Sequence, residues 1–336
     1  MDTPSHVCMG AATGLIVANV ANAHGIPVDT TSVVAVSIIA NTFPDIDVLY
    51  KLKSNYAYVA NHRGKSHSLV ASVIWVFLTF ILAHVVLHQD LRVSMVLSLF
   101  VYLHLFTDLL NGYGVALLWP FYKRWIALGI TYTIDATLIT LHIIGFILVF
   151  QFGFNALTTF KVIYIILGTY IFLSFLYHYQ LKTRLIKKYG NYKKLILQAR
   201  ATPLTWKYVY ETTNKEFFMG IITIHKINQV RYEKRMEIIS DELEKILYQN
   251  KDYKSFVDFT PVYNYQIKHL PDDVVEIKFY DLRYLMVRKG EQYYTFNCFV
   301  QLKDKKIITS YLAFTITEEG AIKNFEKIKE KYGVQT

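Results

Sequence analysis

Four short clusters in the first third of the chain hold residue types that bind metals or move protons. They are Asp2-Thr3-Pro4-Ser5-His6, Pro44-Asp45-Ile46-Asp47, His62-Arg63-Gly64-Lys65-Ser66-His67-Ser68, and the stretch from His104 through Asp108 and Asn111 to Gly112. On a helix, His104 and Asp108 stand i, i+4 on one face, with Asn111 one turn further along. Asp45 and Asp47 follow a proline, and an i, i+2 pair in an extended or turn conformation can point both carboxylates one way. His62 and His67 flank a glycine-containing turn from which both imidazoles could reach one ion. Neutral imidazoles and carboxylates suit a divalent metal, with zinc, manganese and iron ahead of nickel, and bridging aspartates would permit two ions.

The elements that must position these clusters are membrane helices. The chain has 53% hydrophobic residues and 18% charged residues over 336 positions, too apolar for an ordinary soluble enzyme. Residues 1–200 carry 15 Lys/Arg and 7 Asp/Glu, against 21 and 19 in the remainder, so the two parts are different materials. The expected fold class is an α-helical polytopic membrane domain of four to six transmembrane helices followed by a small soluble α+β domain, divided as 1–200 and 201–336. Four stretches read as spans: 69–87, 93–110, 134–152 and 162–179. The weaker pair 7–23 and 31–43 reads as a helical hairpin of small residues packed inside the bundle. Beyond Pro203 the pattern predicts strands at 206–211, 217–224 and 274–279, an amphipathic helix at 239–248, a hairpin of 283–287 with 293–302 turning at Lys289-Gly290, and a closing helix at 318–332.

Loops 44–68, 111–133 and 180–200 together hold thirteen Lys/Arg, whereas the opposite side holds Arg92 and Lys161. The positive-inside rule therefore predicts that those loops and both termini are cytoplasmic, in a multi-pass protein of the cell membrane, with the turns near Asp90 and Asn155 external. All four clusters then fall on one membrane face. The amino terminus lacks a basic region before its apolar stretch and reads as retained. Cys8 and Cys298 offer neither a disulfide framework nor a paired-cysteine zinc site.

The strings D-T-x-x-H, P-D-I-D, H-R-G-x-S-H-S and H-x-x-x-D-x-x-N-x-x-G, the last followed by L-L-W-P-F, resemble the YdjM-like family over roughly residues 1–200. That family is described as LexA-binding, inner-membrane-associated metal-dependent hydrolases, and this chain most resembles its longer YfhP-like members. The resemblance implies His6, Asp45, Asp47, His62, His67, His104 and Asp108 as metal ligands and metal-assisted hydrolysis as the chemistry. Arg63 and Lys65 would neutralise a phosphate or other anion, and Asn111 would be a weak ligand or would orient one. The interfacial location favours an amphiphilic substrate, a phospholipid or polyprenyl-type phosphoester, with membrane lipids as surroundings.

Each assignment has a plainer counterpart. A lone intramembrane histidine is most often a packed polar residue, and His24, His84, His88, His142 and His178 take that reading. Arg63 and Lys65 are equally explained as topology signals, Asp135 as a helix cap, and the basic run 182–194 as an anionic-lipid contact. A second function class is a membrane-tethered regulator that binds a transcription factor or other protein partner through its cytoplasmic third. Direct nucleic-acid binding is disfavoured by the near-balanced charge of that third and its lack of a recognition motif. A transporter would place its site nearer the bilayer midplane.

Overall fold

A computed structural model describes all residues except 1, 54–56, 59–60, 236–237, 289–290 and 315–336. Helix α1 (Thr3–Ala23) and helix α2 (Thr30–Thr42) form the hairpin that the small residues suggest. Asp29 caps α2 by accepting from the Thr31 and Ser32 amides. Gly10 and Gly14 let the backbones touch: a Cβ at Gly10 would lie 2.6 Å from Ile38 Cα, and one at Gly14 would lie 2.7 Å from Val34 Cα. Helix α2 runs on into a 3-10 segment, Phe43–Leu52, so the apolar stretch reaches 23 residues instead of the 13 expected.

Helix α3 (Leu69–Ile81) ends in a π-turn, Leu82–Val86, and is followed by α4 (Leu91–Leu110), α5 (Ala136–Phe150) and α6 (Ala156–Tyr189). Ser68, Asp90, Asp135 and Asn155 cap α3 to α6 with their side chains, which bears out the cap reading of Asp135. Among the described residues, five helical segments are long and apolar enough to cross a bilayer, while α5, at 15 residues, falls short of the expected span. Its start is delayed because residues 111–131 are tied down by bridges from Asn111 to Thr131 and from Val115 to Ile126. Val73, Phe77, Ile165 and Phe172 are each at least 60% exposed, which suits hydrocarbon as the solvent. Helix α6, with 34 residues, is about 51 Å long at 1.5 Å per residue, so its end projects beyond a hydrocarbon core of roughly 30 Å.

The projecting end leads directly into a sheet. Strands β1 (Tyr192–Ala199), β2 (Thr205–Thr212), β3 (Glu216–Thr223) and β4 (Ile227–Lys234) form an antiparallel meander. The first strand includes Lys193 and Lys194 from the basic run, whose charges mask the short apolar run Leu195, Ile196 and Leu197. Helices α7 (Asp241–Gln249) and α8 (Lys251–Phe259) precede β5 (Tyr263–His269), β6 (Val275–Asp281), β7 (Leu285–Arg288), β8 (Glu291–Tyr294), β9 (Phe296–Lys303) and β10 (Lys306–Phe314). The second sheet is ordered β10-β9-β6-β5 around a core of Tyr253, Phe256, Ile277, Phe279, Phe296 and Val300.

The expected 283–287/293–302 hairpin is corrected. Strand β7 pairs with β8, whereas β9 lies between β6 and β10, because Thr295 breaks the run and the fully buried Phe296 and Cys298 belong to the second core. The turn at Lys289-Gly290 and the closing helix at 318–332 lie outside the described residues.

The soluble part rests on the 112–133 segment. Gln198 donates to the Gly112 carbonyl, the Ala199 amide donates to the Gly129 carbonyl at 3.0 Å, and Tyr284 stacks on Tyr113 with ring centroids 5.5 Å apart.

Candidate metal centre

Four separate elements deliver polar side chains to one end of the bundle. His6 sits in the second turn of α1, and Asp45 and Asp47 lie on the 3-10 continuation of α2. His67 closes a short turn just before α3, and His104 and Asp108 lie one turn apart near the end of α4. Antiparallel packing makes these ends coincide.

Asp45, His67, His104 and Asp108 each offer a ligand atom within 4.8 Å of the others. The two Nε2 atoms of His67 and His104 are 3.0 Å apart. His67 Nε2 lies 3.4 Å from Asp45 Oδ1 and 3.3 Å from Asp108 Oδ2, and His104 Nε2 lies 3.8 Å and 3.6 Å from the same oxygens. Ligands about 2.0–2.1 Å from a tetrahedral ion are themselves roughly 3.3 Å apart, and the histidine nitrogens here lie 3.0–3.8 Å from one another and from the two aspartate oxygens.

The outer partners of the histidines set which nitrogen carries a proton. His104 Nδ1 is 2.7 Å from the Asn41 carbonyl, an acceptor only, so Nδ1 is the donor and Nε2 bears the lone pair. His67 Nδ1 is 3.2 Å from Asp47 Oδ2 and 2.9 Å from Ser66 Oγ, so its Nε2 also faces inward as a lone pair. Two lone pairs and two carboxylates therefore face one another, and four acceptors in contact repel unless a cation lies among them. The sign of the local charge agrees. Asp45, Asp47 and Asp108 are buried beside the guanidinium of Arg63, so buried carboxylates outnumber buried side-chain cations at this end among the described residues, which favours an added cation.

The remaining expected residues surround this group. Asp47 is gripped on both oxygens: Oδ1 is 2.9 Å from His62 Nδ1, while Oδ2 accepts from the Arg63 amide at 2.9 Å and from Ser66 Oγ at 2.5 Å. It therefore reaches the centre through His67. His62 and His67 do not converge on one point; their ring centroids are 6.4 Å apart, and His62 stacks on Tyr58 at 4.6 Å. The cause is local, because Arg63, at φ 55, takes the left-handed conformation that turns His62 to the outer side of Asp47.

His6 stacks on His104 at 3.8 Å and approaches the second oxygen of Asp108, Oδ1, at 3.4 Å; its buried Nδ1 has no hydrogen-bond partner among the described residues. Arg63 Nη2 is 3.5 Å from that oxygen. Asn111 places its amide nitrogen 3.4 Å from Asp108 Oδ1, while its carbonyl oxygen accepts from the Tyr113 and Gly114 amides. With that oxygen committed to the turn, Asn111 acts through Asp108.

Lys65 stands apart from the group. Its ammonium lies over the Trp119 ring at 5.4 Å and borders a cavity of about 560 Å³ lined by Ile46, Leu49, Val70, Ile74 and Trp75, into which Asp47 and Ser66 also face.

Three contributors escaped sequence reasoning. Thr3 donates to Asp45 Oδ2 at 2.8 Å, Ser66 to Asp47, and Asn41 offers His104 its backbone carbonyl. Thr3 and Ser66 lie inside the His/Asp strings and were legible as hydroxyls near ligands. A backbone acceptor leaves no trace in residue type. Of the histidines read as structural, His142 binds the Leu138 carbonyl and approaches Tyr164 Oη, and His84 binds the Gln89 carbonyl.

No solved structure matches this chain. It is 28% identical over 323 residues to the protein YfhP of Bacillus subtilis (strain 168), covering 95% of this chain and 97% of that one. Residues 242–324 match the family described as YfhP C-terminal alpha/beta plait domain. Residues 1–181 match the family described as YdjM inner membrane protein, and with more than half its length matched, the chain belongs to that family of membrane proteins.

Proposed function

We propose that the protein is a membrane-bound, metal-dependent hydrolase acting on an amphiphilic phosphoester. The observation that carries this reading is the convergence of four buried acceptors, with both histidine tautomers set by outer partners. Asp45, His67, His104 and Asp108 would hold the ion. Bound there, a divalent cation lowers the pKa of its water and polarises the scissile group. His6, Arg63 and Asn111 hold Asp108 through its other oxygen, and Asp47 holds His67 in the ligating tautomer.

The substrate class is supported by the cavity beside Asp47. Its apolar wall suits an acyl or prenyl chain, and Lys53 and Lys65 at its rim suit a phosphate. Screening phosphomonoesters, phosphodiesters and then lipid phosphates in detergent, with metal content measured throughout, tests the reading. Hydrolysis that requires the metal supports it. A metal-free protein inert on every class would favour the regulatory alternative.

Arg63→Ala separates anion binding from topology. Arg63 is buried against Asp108, and a guanidinium there can grip a phosphoryl oxygen. Because Arg63 also holds Asp108, the variant should bind metal roughly ten- to a hundredfold more weakly, and at saturating metal it should still lose roughly ten- to a hundredfold in kcat/KM, the scale of one charge-assisted contact. An unchanged kcat/KM at saturating metal would limit Arg63 to holding Asp108 and to topology.

The reading includes an orientation with both termini and the His/Asp site cytoplasmic, supported by the Lys/Arg asymmetry of the loops. Cysteine labelling of intact cells should reach substitutions at Asp90 and Gly153 and miss one at Lys123. The reverse pattern would invert the topology.

A further inference from the structure

A second cavity, of about 680 Å³, lies where the end of α6, the 112–129 segment, α8 and β1 meet. None of Asp45, His67, His104 or Asp108 lines it. Its walls carry Lys123, Arg124, Lys182, Lys194 and Arg283, together with His178. One carboxylate, Asp258, also faces it, and that group is engaged by the Tyr248 hydroxyl at 3.0 Å. Arg283 is paired with Asp281. Lys123, Arg124 and Lys182 form no ion pair among the described residues, and with Asp258 the one carboxylate among the lining residues the walls carry a net positive charge. The ammonium of Lys194 donates to the Pro261 carbonyl at 2.7 Å, and burial, then the nearby Arg124, pushes it below the usual lysine range. Like charges gathered in a partly enclosed space repel one another and focus potential on whatever anion enters.

Three further features suit a bound molecule. The size falls within the range of small-ligand sites, roughly 300–1,000 Å³. Trp125 and Phe259 supply an aromatic wall, packed edge to face at 5.9 Å. The buried indole N–H of Trp125 has no acceptor among the described residues. The position is also informative, since the projecting end of α6 puts Lys182 beyond the hydrocarbon and Lys123 and Arg124 lie in the segment between α4 and α5.

We propose that this cavity binds a ligand through a multiply charged phosphate group, bridging the membrane domain and the C-terminal domain. The phosphate can come from a soluble molecule or from a lipid headgroup, and two arms of one experiment distinguish them. Full-length protein in zwitterionic nanodiscs is titrated with inorganic pyrophosphate by calorimetry. In parallel, nanodiscs containing cardiolipin are examined by native mass spectrometry for retained lipid. One of the two probes should saturate a single site. Lys182→Gln and Arg124→Gln should each weaken it roughly tenfold, while Lys182→Arg and the exposed control Lys187→Gln should leave it unchanged.

The same binding must persist in His67→Ala, which separates this cavity from the His/Asp centre. Lys182→Gln, Lys182→Arg and Arg124→Gln are checked for unchanged thermal melting, so weakened binding is not mistaken for misfolding. Pyrophosphate saturation identifies a soluble phosphate, and cardiolipin retention alone identifies a headgroup. Failure of both probes to saturate, indifference to the Lys182→Gln and Arg124→Gln changes, or loss of binding in His67→Ala would overturn the proposal.

Discussion

Asp108→Ala should abolish metal retention and hydrolysis together. Asp108 is fully buried, and its two oxygens serve different neighbours: Oδ2 faces His67 and His104, while Oδ1 meets His6, Arg63 and Asn111. Removing it deletes one of four inward donors and strands a buried guanidinium beside the gap. Groups that merely orient a ligand are worth about 10–100-fold in metal affinity, so loss of the ligand itself should exceed a thousandfold. Melting temperature separates this account from a purely structural one. If the carboxylate helps hold an ion, a chelator should lower the melting temperature of the wild type and leave Asp108→Ala unmoved, because only the native state of the wild type binds the metal. If Asp108 serves only as a hydrogen-bond acceptor, the variant is destabilised equally with and without chelator, and the wild type ignores the chelator.

Asp47→Asn should weaken metal binding by roughly 10–100-fold while leaving the fold intact. The carboxylate accepts the proton on His67 Nδ1, and that fixes the lone pair on Nε2. An asparagine of nearly equal shape can present its N–H₂ instead, which favours the tautomer with the proton on Nε2, pointed at the other ligands. The Arg63 amide and the Ser66 hydroxyl also lose their charged acceptor, so the turn from His62 to Ser68 should loosen. Metal titration of the variant beside the wild type, read with far-ultraviolet circular dichroism, checks both parts. Affinity within threefold of wild type would mean that Ser66 Oγ, 2.9 Å from His67 Nδ1, orients the ring unaided.

Much of this site was legible because two independent signals agreed. Charge asymmetry of the loops put the four clusters on one face, and the i, i+4 spacing of His104 and Asp108 gave the geometry of one pair before any fold was known. What spacing could not supply was depth. Asp47 and His62 have the same residue types as Asp45 and His67, yet the left-handed backbone at Arg63 turns His62 outward, and the Arg63 amide and Ser66 hydroxyl engage Asp47 outside the inner group. The helical hairpin was readable from Gly10 and Gly14, since close approach demands small residues. The full length of its second arm was not, because Pro44 signals a break where the chain merely tightens to a 3-10 path. In the C-terminal part, β1 was hidden by its lysines and β8 by the adjacency of β9, whose burial is decided by strands far away in sequence.

Elemental analysis of purified wild-type protein beside His67→Ala tests the central claim most directly. His67 supplies an inward Nε2 and lies in hydrogen-bond range of both Asp47 and His104, so its removal opens the group without touching any membrane helix interior. The account predicts about one tightly held divalent ion per chain in the wild type and none above background in the variant, with both proteins equally folded. The same metal content in both, or none in either after purification without chelator, would contradict it.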